Sequence, residues 1–150
     1  PKTLGDYLAE GEREKILSFQ LQAPLTDVLK AIHEKHFNQF PVFDETGYVG
    51  LISNNGIASW LAALSEQGRS ASLDLIGVRI SEILPFEENG DTVIRLSKET
   101  SLFETLHHFT GSRVRLVLVC QSTDLSIQRP ADIVGIITKS DLGRMVKDLR

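Results

Sequence analysis

Hydrophobic and polar positions follow one pattern twice along this chain. In the second half, a short β-rich run at 92–96 precedes residues 101–109, whose apolar side chains recur at the spacing of an amphipathic helix. Strand-like runs at 114–119 and 132–138 follow, and a second helical pattern covers 141–149. The pattern therefore predicts the order β-α-β-β-α for this half.

The first half has the same predicted order. Strand-like runs cover 16–21, 40–43 and 48–53, and helical patterns cover 25–36 and 56–68. The turn Asp-Glu-Thr-Gly between the last two strands is a natural hairpin connector, because Gly supplies a positive φ and Asp bonds locally. The chain is therefore expected to be a duplication.

Aligning the two halves residue by residue supports this duplication. Residues 2–8 align with 78–84, and VGLISNNGI at 49–57 aligns with VGIITKSDL at 134–142. An insertion in the second copy, at 121–133, replaces the short hairpin turn of the first. We predict an α/β (α+β) fold of two repeats, with boundaries at 1–75 and 76–150.

The candidate chemistry lies where the last strand of each repeat meets its last helix. We call Thr138-Lys139-Ser140-Asp141 the second junction, and Ser53-Asn54-Asn55-Gly56 the first junction. Thr138 and Asp141 have the spacing of a helix-capping box. The same groups suit a ligand, because free amides and a hydroxyl favour phosphate and a carboxylate accepts hydrogen bonds from a ribose diol. Capping and ligand binding both stay open.

Composition removes several classes of function. The net charge of −4 and pI near 5.6 offer no basic field for nucleic acid. The single cysteine, Cys120, forms no intrachain disulfide and is expected to be a small strand hydrophobe, which suits a reducing cytoplasm. No apolar run approaches the roughly 20 residues of a membrane helix, and the first 15 residues lack a signal-peptide core. The missing initiator Met suggests a piece of a longer chain.

Catalytic and metal-binding motifs are also missing. The chain has no P-loop, G-x-G-x-x-G or G-x-S-x-G motif. The sequence HEKH at 33–36 falls one residue short of the zinc-binding H-E-x-x-H spacing. We expect neither an enzyme nor a metal protein.

The doubled β-α-β-β-α order, the strand pair FPVFDETGYVGLIS and the segment VGIITKSDL resemble the cystathionine-β-synthase (CBS) domain family. In that family two repeats form a Bateman module. The resemblance implies two repeats packed about a pseudo-two-fold axis, clefts that hold adenosine nucleotides, and pairing of modules into dimers.

The resemblance also implies roles for individual residues. Asp141 would bind ribose and Thr138 phosphate, with Lys139 and Ser140 beside them. Ile94, Ser97 and Thr100, in the first strand of the repeat and the turn after it, would approach the base or sugar. Apolar side chains near Leu116, on a later strand, would sandwich the ring. Arg113 and Arg115, at the start of that strand, are further phosphate candidates because Arg forms charge-assisted bonds with phosphate, and a solvated strand face explains them equally well.

The function expected from the sequence is regulatory. We expect a cytoplasmic homodimer that requires no cofactor and binds one adenosine-containing nucleotide (AMP, ADP, ATP or S-adenosylmethionine class) in the cleft of the second repeat. The first repeat has Gly56 in place of an acid, so its junction is expected to lack a carboxylate. Binding would send a conformational signal to an attached or separate effector domain. The alternative is a nucleotide-free dimerisation or protein-interaction module in which Asp141 only caps its helix.

Overall fold

The computed structural model describes residues 1–11, 13, 15–35, 37–68, 74–87, 92–111 and 113–149. The chain divides into two compact units, each with a three-stranded sheet. The first-sheet unit is Leu17–Glu88, and the second-sheet unit combines Pro1–Ile16 with Asn89–Arg150. In chain order the elements are α1 (Leu4–Ala9), β1 (Phe19–Gln20), α2 (Leu25–Lys35), β2 (Gln39–Asp44), β3 (Gly47–Ser53), α3 (Asn54–Glu66), α4 (Ile80–Ile83), β4 (Val93–Ser97), α5 (Leu102–Phe109), β5 (Leu116–Cys120), β6 (Ile133–Thr138) and α6 (Leu142–Lys147).

The two sheets have the same topology. Their strand orders are β1-β2-β3 and β4-β5-β6, with the first pair parallel and the second antiparallel. The Asp44-to-Gly47 turn forms as predicted, because the Asp44 carboxylate accepts hydrogen bonds from the Thr46 amide (2.8 Å) and hydroxyl (2.6 Å), and Gly47 has a φ of 123°. The predicted α/β fold and the β-α-β-β-α order of both repeats are confirmed.

Two short helices, α1 and α4, were not predicted from hydrophobic periodicity. Helix α1 belongs to the first predicted repeat but packs on the second sheet. Helix α4 belongs to the second predicted repeat but packs on the first sheet. In the second-sheet unit, the Leu4 amide donates to the Thr100 carbonyl at 2.8 Å. In the first-sheet unit, the Ile80 amide donates to the Ala23 carbonyl at 3.0 Å. The boundaries of the compact units therefore differ from those of the predicted repeats, 1–75 and 76–150. The repeat boundaries describe the duplication and stay a prediction.

Each unit has its own hydrophobic core, built by the amphipathic patterns of the sequence. In α5, Leu102 and Phe109 are buried while Phe103 is exposed. In α3, Trp60 is buried against the first sheet. Cys120 is fully buried at the end of β5, and burial raises the pKa of its thiol. The predicted role of Cys120 as a strand hydrophobe is confirmed.

The insertion between β5 and β6 is held by its own side chains. The Asp132 carboxylate accepts hydrogen bonds from the Gln128 and Arg129 amides at 2.8 and 3.0 Å, and Ile127 is buried. Arg95 of β4 donates to the carbonyl of Leu125, whose φ of 63° is left-handed. Within the described residues, none of the helices is both long and apolar enough to cross a membrane.

Candidate functional site

The second junction forms at the edge of the second sheet. Thr138 ends β6 directly opposite Leu116 of β5, and a 3-10 turn over Lys139–Asp141 leads into α6. The Asp141 carboxylate accepts a hydrogen bond from the Thr138 amide at 2.9 Å. The bond from the Thr138 amide to Asp141 is the acid's half of the predicted capping box, and the Thr138 hydroxyl pairs with the Ser140 hydroxyl at 2.8 Å.

The N-terminal segment supplies a second group of contacts to Asp141. The buried Tyr7 of α1 donates its hydroxyl to Asp141 Oδ1 at 2.8 Å. The Arg13 guanidinium lies 4.6 Å from the centre of the Tyr7 ring and 3.7 Å from the same carboxylate oxygen. Neither Tyr7 nor Arg13 was singled out from the sequence, because each is brought to Asp141 only by the packing of the N-terminal segment on the second sheet.

These contacts change the chemistry of Tyr7. Burial, followed by the hydrogen bond to the Asp141 carboxylate, raises the pKa of the Tyr7 hydroxyl, and the nearby Arg13 opposes this effect. Tyr7 is therefore held as a neutral hydrogen-bond donor. The Asp141 side chain remains 15% exposed, so it is not sealed from solvent.

The other predicted site residues lie at two ends of the second sheet. Leu116 is buried beside Thr138, Arg115 immediately precedes it, and Ile94 pairs with the next residue of β5. Lys139 and Ser140 are exposed. Ser97 ends β4 four residues from the Thr138 end of the sheet, about 13 Å along the strand. Thr100 follows and contacts α1. Within this unit Leu116 lies beside the junction and Arg115 precedes Leu116 in sequence, whereas Ser97 and Thr100 do not lie at this end of the sheet.

The first junction differs from the sequence expectation. Ser53 caps α3 by accepting a hydrogen bond from the Gly56 amide at 3.2 Å. The Ser53 amide and hydroxyl then donate to the two oxygens of Glu87, at 2.8 and 2.6 Å. The expectation that this junction lacks a carboxylate is therefore wrong. Glu87 provides one from another part of the chain, and no local sequence pattern could have revealed it.

Glycines make room for these contacts at both junctions. A Cβ at Gly56 would overlap the Glu87 carboxylate. A Cβ at Gly135 would overlap the Leu8 side chain of α1. A Cβ at the equivalent Gly50 of β3 would lie 3.8 Å from Leu84 Cδ2, an ordinary van der Waals contact. In each unit, therefore, a short segment of the chain lies against the last strand and its junction.

A comparison with known families identifies this arrangement. The family model of the CBS domain matches residues 11–63, which include the first sheet and the first junction. Residues 11–63 therefore match a CBS domain. No curated protein matches its sequence.

Solved structures extend the likeness to the whole chain. The crystal structure of CBSX2 in complex with AMP is 19% identical, with a TM-score of 0.63 over 99% of this chain and 98% of that one. A CBS-domain protein of unknown function from Kribbella flavida is 17% identical, with a TM-score of 0.67 over 95% and 97%. The CBS domain of a membrane protein from Sphaerobacter thermophilus is 18% identical, with a TM-score of 0.63 over 96% and 87%. The chain thus has the fold of a tandem CBS pair.

The two CBS junctions offer different groups to a ligand. At the second, an accessible carboxylate lies next to two paired hydroxyls and an exposed lysine. At the first, the carboxylate already uses both the amide and the hydroxyl of Ser53, which is buried. Among the described residues no three metal-ligating side chains cluster, and His36 lies outside them.

Proposed function

We propose that this CBS pair is a cytoplasmic regulatory module that binds an adenosine-containing nucleotide at the second junction without changing it chemically. The single observation that carries the proposal is the partly exposed Asp141 carboxylate beside the Thr138 and Ser140 hydroxyls. A carboxylate has about four acceptor positions. Two are used by Thr138 and Tyr7, which leaves capacity for a ribose hydroxyl.

Charge and neighbouring groups support the same ligand class. The Lys139 side chain is exposed beside the hydroxyls, where it can meet a phosphate. Ile94 of β4 is partly exposed and offers apolar surface for a base, whereas Leu116 is fully buried. The CBSX2 structure, which shares the fold, is a complex with AMP. AMP, ADP, ATP and S-adenosylmethionine all carry the adenosine group that these residues suit.

The output of binding would be conformational. Because Asp141 also contacts Tyr7 and Arg13, a ribose that shares its oxygens alters how the N-terminal segment is held. A ligand shifts an equilibrium only through its difference in affinity for two states. Release of Tyr7 or Arg13 from Asp141 is a structural difference of that kind, which an attached or separate effector can sense.

Ligand-dependent melting tests this function. A nucleotide at 100 times its Kd stabilises the native state by about 2.7 kcal/mol. For a chain of this size we expect Tm to rise by roughly 5–10 °C. The measurement is thermal unfolding with millimolar AMP, ADP, ATP or S-adenosylmethionine, and with inorganic phosphate as the control. An unchanged Tm with all four adenosine compounds favours the nucleotide-free interaction module instead.

Exposed apolar side chains support a homodimer as part of this proposal. Val146 and Leu149, at the C-terminal end of the second-sheet unit, are 56% and 42% exposed, and Leu61 of α3 is 38% exposed. Burying such faces in a two-fold interface removes them from water. We expect a dimer by light scattering and a monomer for Val146→Glu. A wild-type monomer across a wide concentration range contradicts the dimer.

A further inference from the structure

The two junctions hold a carboxylate in the same way but obtain it from different places. In the second, the Thr138 amide bonds to an acid three residues later, at 2.9 Å. In the first, the Ser53 amide bonds to Glu87, 34 residues later, at 2.8 Å. The position that holds Asp141 in the second junction is Gly56 in the first. Glu87 therefore lies where the missing acid would otherwise be.

We propose that Glu87 is a built-in occupant of the first junction, which replaces the acid absent at position 56 and closes this junction to external anions. The inference rests on the proposed function only in taking a nucleotide as the anion to be excluded. In this proposal Glu87 is the reason why a nucleotide binds only to the second repeat. From the sequence alone, the expected reason is a missing carboxylate.

The hydrogen bonds of Glu87 explain the closure. An incoming phosphate at the head of α3 would compete for the Ser53 amide and hydroxyl, the two donors of this residue. Both already donate to Glu87, and Ser53 is only 7% exposed. A phosphate would also meet the negative charge of Glu87, and like charges at such distances repel.

The second junction lacks this closure. Asp141 takes the Thr138 amide, but the Thr138 hydroxyl pairs with another hydroxyl at an exposed position. The second acceptor bond of Asp141 goes to Tyr7 instead. A phosphate can therefore reach the paired hydroxyls of the second junction. At the first junction, the Ser53 hydroxyl is already bonded to Glu87.

Gly56 gives a sharp test of where Glu87 lies. In an ordinary helix, Gly→Ala is stabilising, because Ala has the higher helix propensity. Here the new Cβ must expel the carboxylate, so Gly56→Ala is expected to lower Tm by roughly 5 °C. In a Glu87→Ala background the same substitution should leave Tm unchanged or raise it. Equal shifts in the two backgrounds would show that Glu87 does not occupy this position.

Gly143 of α6 is the matched control. A Cβ at Gly143 meets no atom within 4 Å, so Gly143→Ala should have the same small effect with and without Glu87. This double-mutant cycle needs no nucleotide. Its result is therefore independent of whether the second junction binds one.

Calorimetric titration with AMP tests the closure itself. The wild type is expected to show one binding event per chain, and Glu87→Ala a second event that the wild type lacks. Glu87→Gln keeps the side-chain length but removes the charge, so its second binding event should be weaker than that of Glu87→Ala. If both variants show the same number of events as the wild type, the closure is overturned. The event shared by all three proteins reports separately on the second junction.

Discussion

Asp141→Ala is expected to weaken adenosine-nucleotide binding by roughly 10- to 150-fold. Hydrogen bonds to a charged group are worth about 1.5–3 kcal/mol, and each 1.4 kcal/mol corresponds to a factor of ten in Kd. The loss arises because the ribose hydroxyls lose their carboxylate acceptor. The measurement is the Kd from calorimetric titration of the folded variant.

Asp141→Ala also disturbs the fold, and this effect must be measured apart from binding. The Thr138 amide loses its acceptor, and the buried Tyr7 hydroxyl is left without the carboxylate. Asp141→Asn separates the two effects. Its carbonyl can accept from the Thr138 amide while its NH2 donates to the Tyr7 oxygen, so the junction keeps its bonds and loses only the charge.

Asp132→Ala is a control for general destabilisation. Like Asp141, Asp132 is a carboxylate of the second-sheet unit that accepts from backbone amides, but it lies in the insertion. We expect lower stability with unchanged nucleotide affinity. If a folded Asp141→Asn variant binds as tightly as the wild type, Asp141 is a helix cap and not a ribose acceptor.

Tyr7→Ala is expected to be the most destabilising substitution at the second junction. Removing a buried aromatic side chain typically lowers the free energy of unfolding by about 3–5 kcal/mol. For a chain of this length, that corresponds to a fall in Tm of roughly 6–20 °C. Tyr7 is buried in the second core, supports the Arg13 guanidinium and donates to Asp141. Thermal or denaturant unfolding measures the loss.

Tyr7→Phe removes only the hydroxyl and should separate packing from hydrogen bonding. The ring still fills the core and still faces Arg13, so the loss should be about 1.5–3 kcal/mol, the range for a hydrogen bond to a charged group. A Tyr7→Phe variant as unstable as Tyr7→Ala would show that the hydroxyl outweighs the ring, contrary to the burial of this side chain.

The raised pKa of Tyr7 adds a pH dependence with a definite sign. Because the folded state binds the phenol proton more tightly than the unfolded state, the contribution of Tyr7 is fully present below its ordinary pKa of 10.0. It is lost as pH rises through the higher folded value. Tyr7→Phe should therefore show a smaller alkaline loss of stability than the wild type. Tyr48→Phe, at the other tyrosine of the chain, is the control.

The sequence by itself determined the duplication, the β-α-β-β-α order within each repeat, and the location of both junctions. These features are local. An alternation of apolar residues, a helical stripe or an Asp-to-Gly turn needs only neighbouring residues to form, and the buried side chains of α5 and the Asp44 turn follow from that. The capping acid of the second junction was likewise visible, because Asp141 and Thr138 are three residues apart.

Only the tertiary structure decided what surrounds those junctions. Tyr7 reaches Asp141 across 134 residues, and Glu87 reaches Ser53 across 34. Their positions depend on short helices that pack on the sheet of the opposite repeat, which no periodicity in a six-residue or four-residue segment can specify. The carboxylate of the first junction was therefore missed, because a side-chain contact made by long-range packing leaves no mark on the local pattern of the chain.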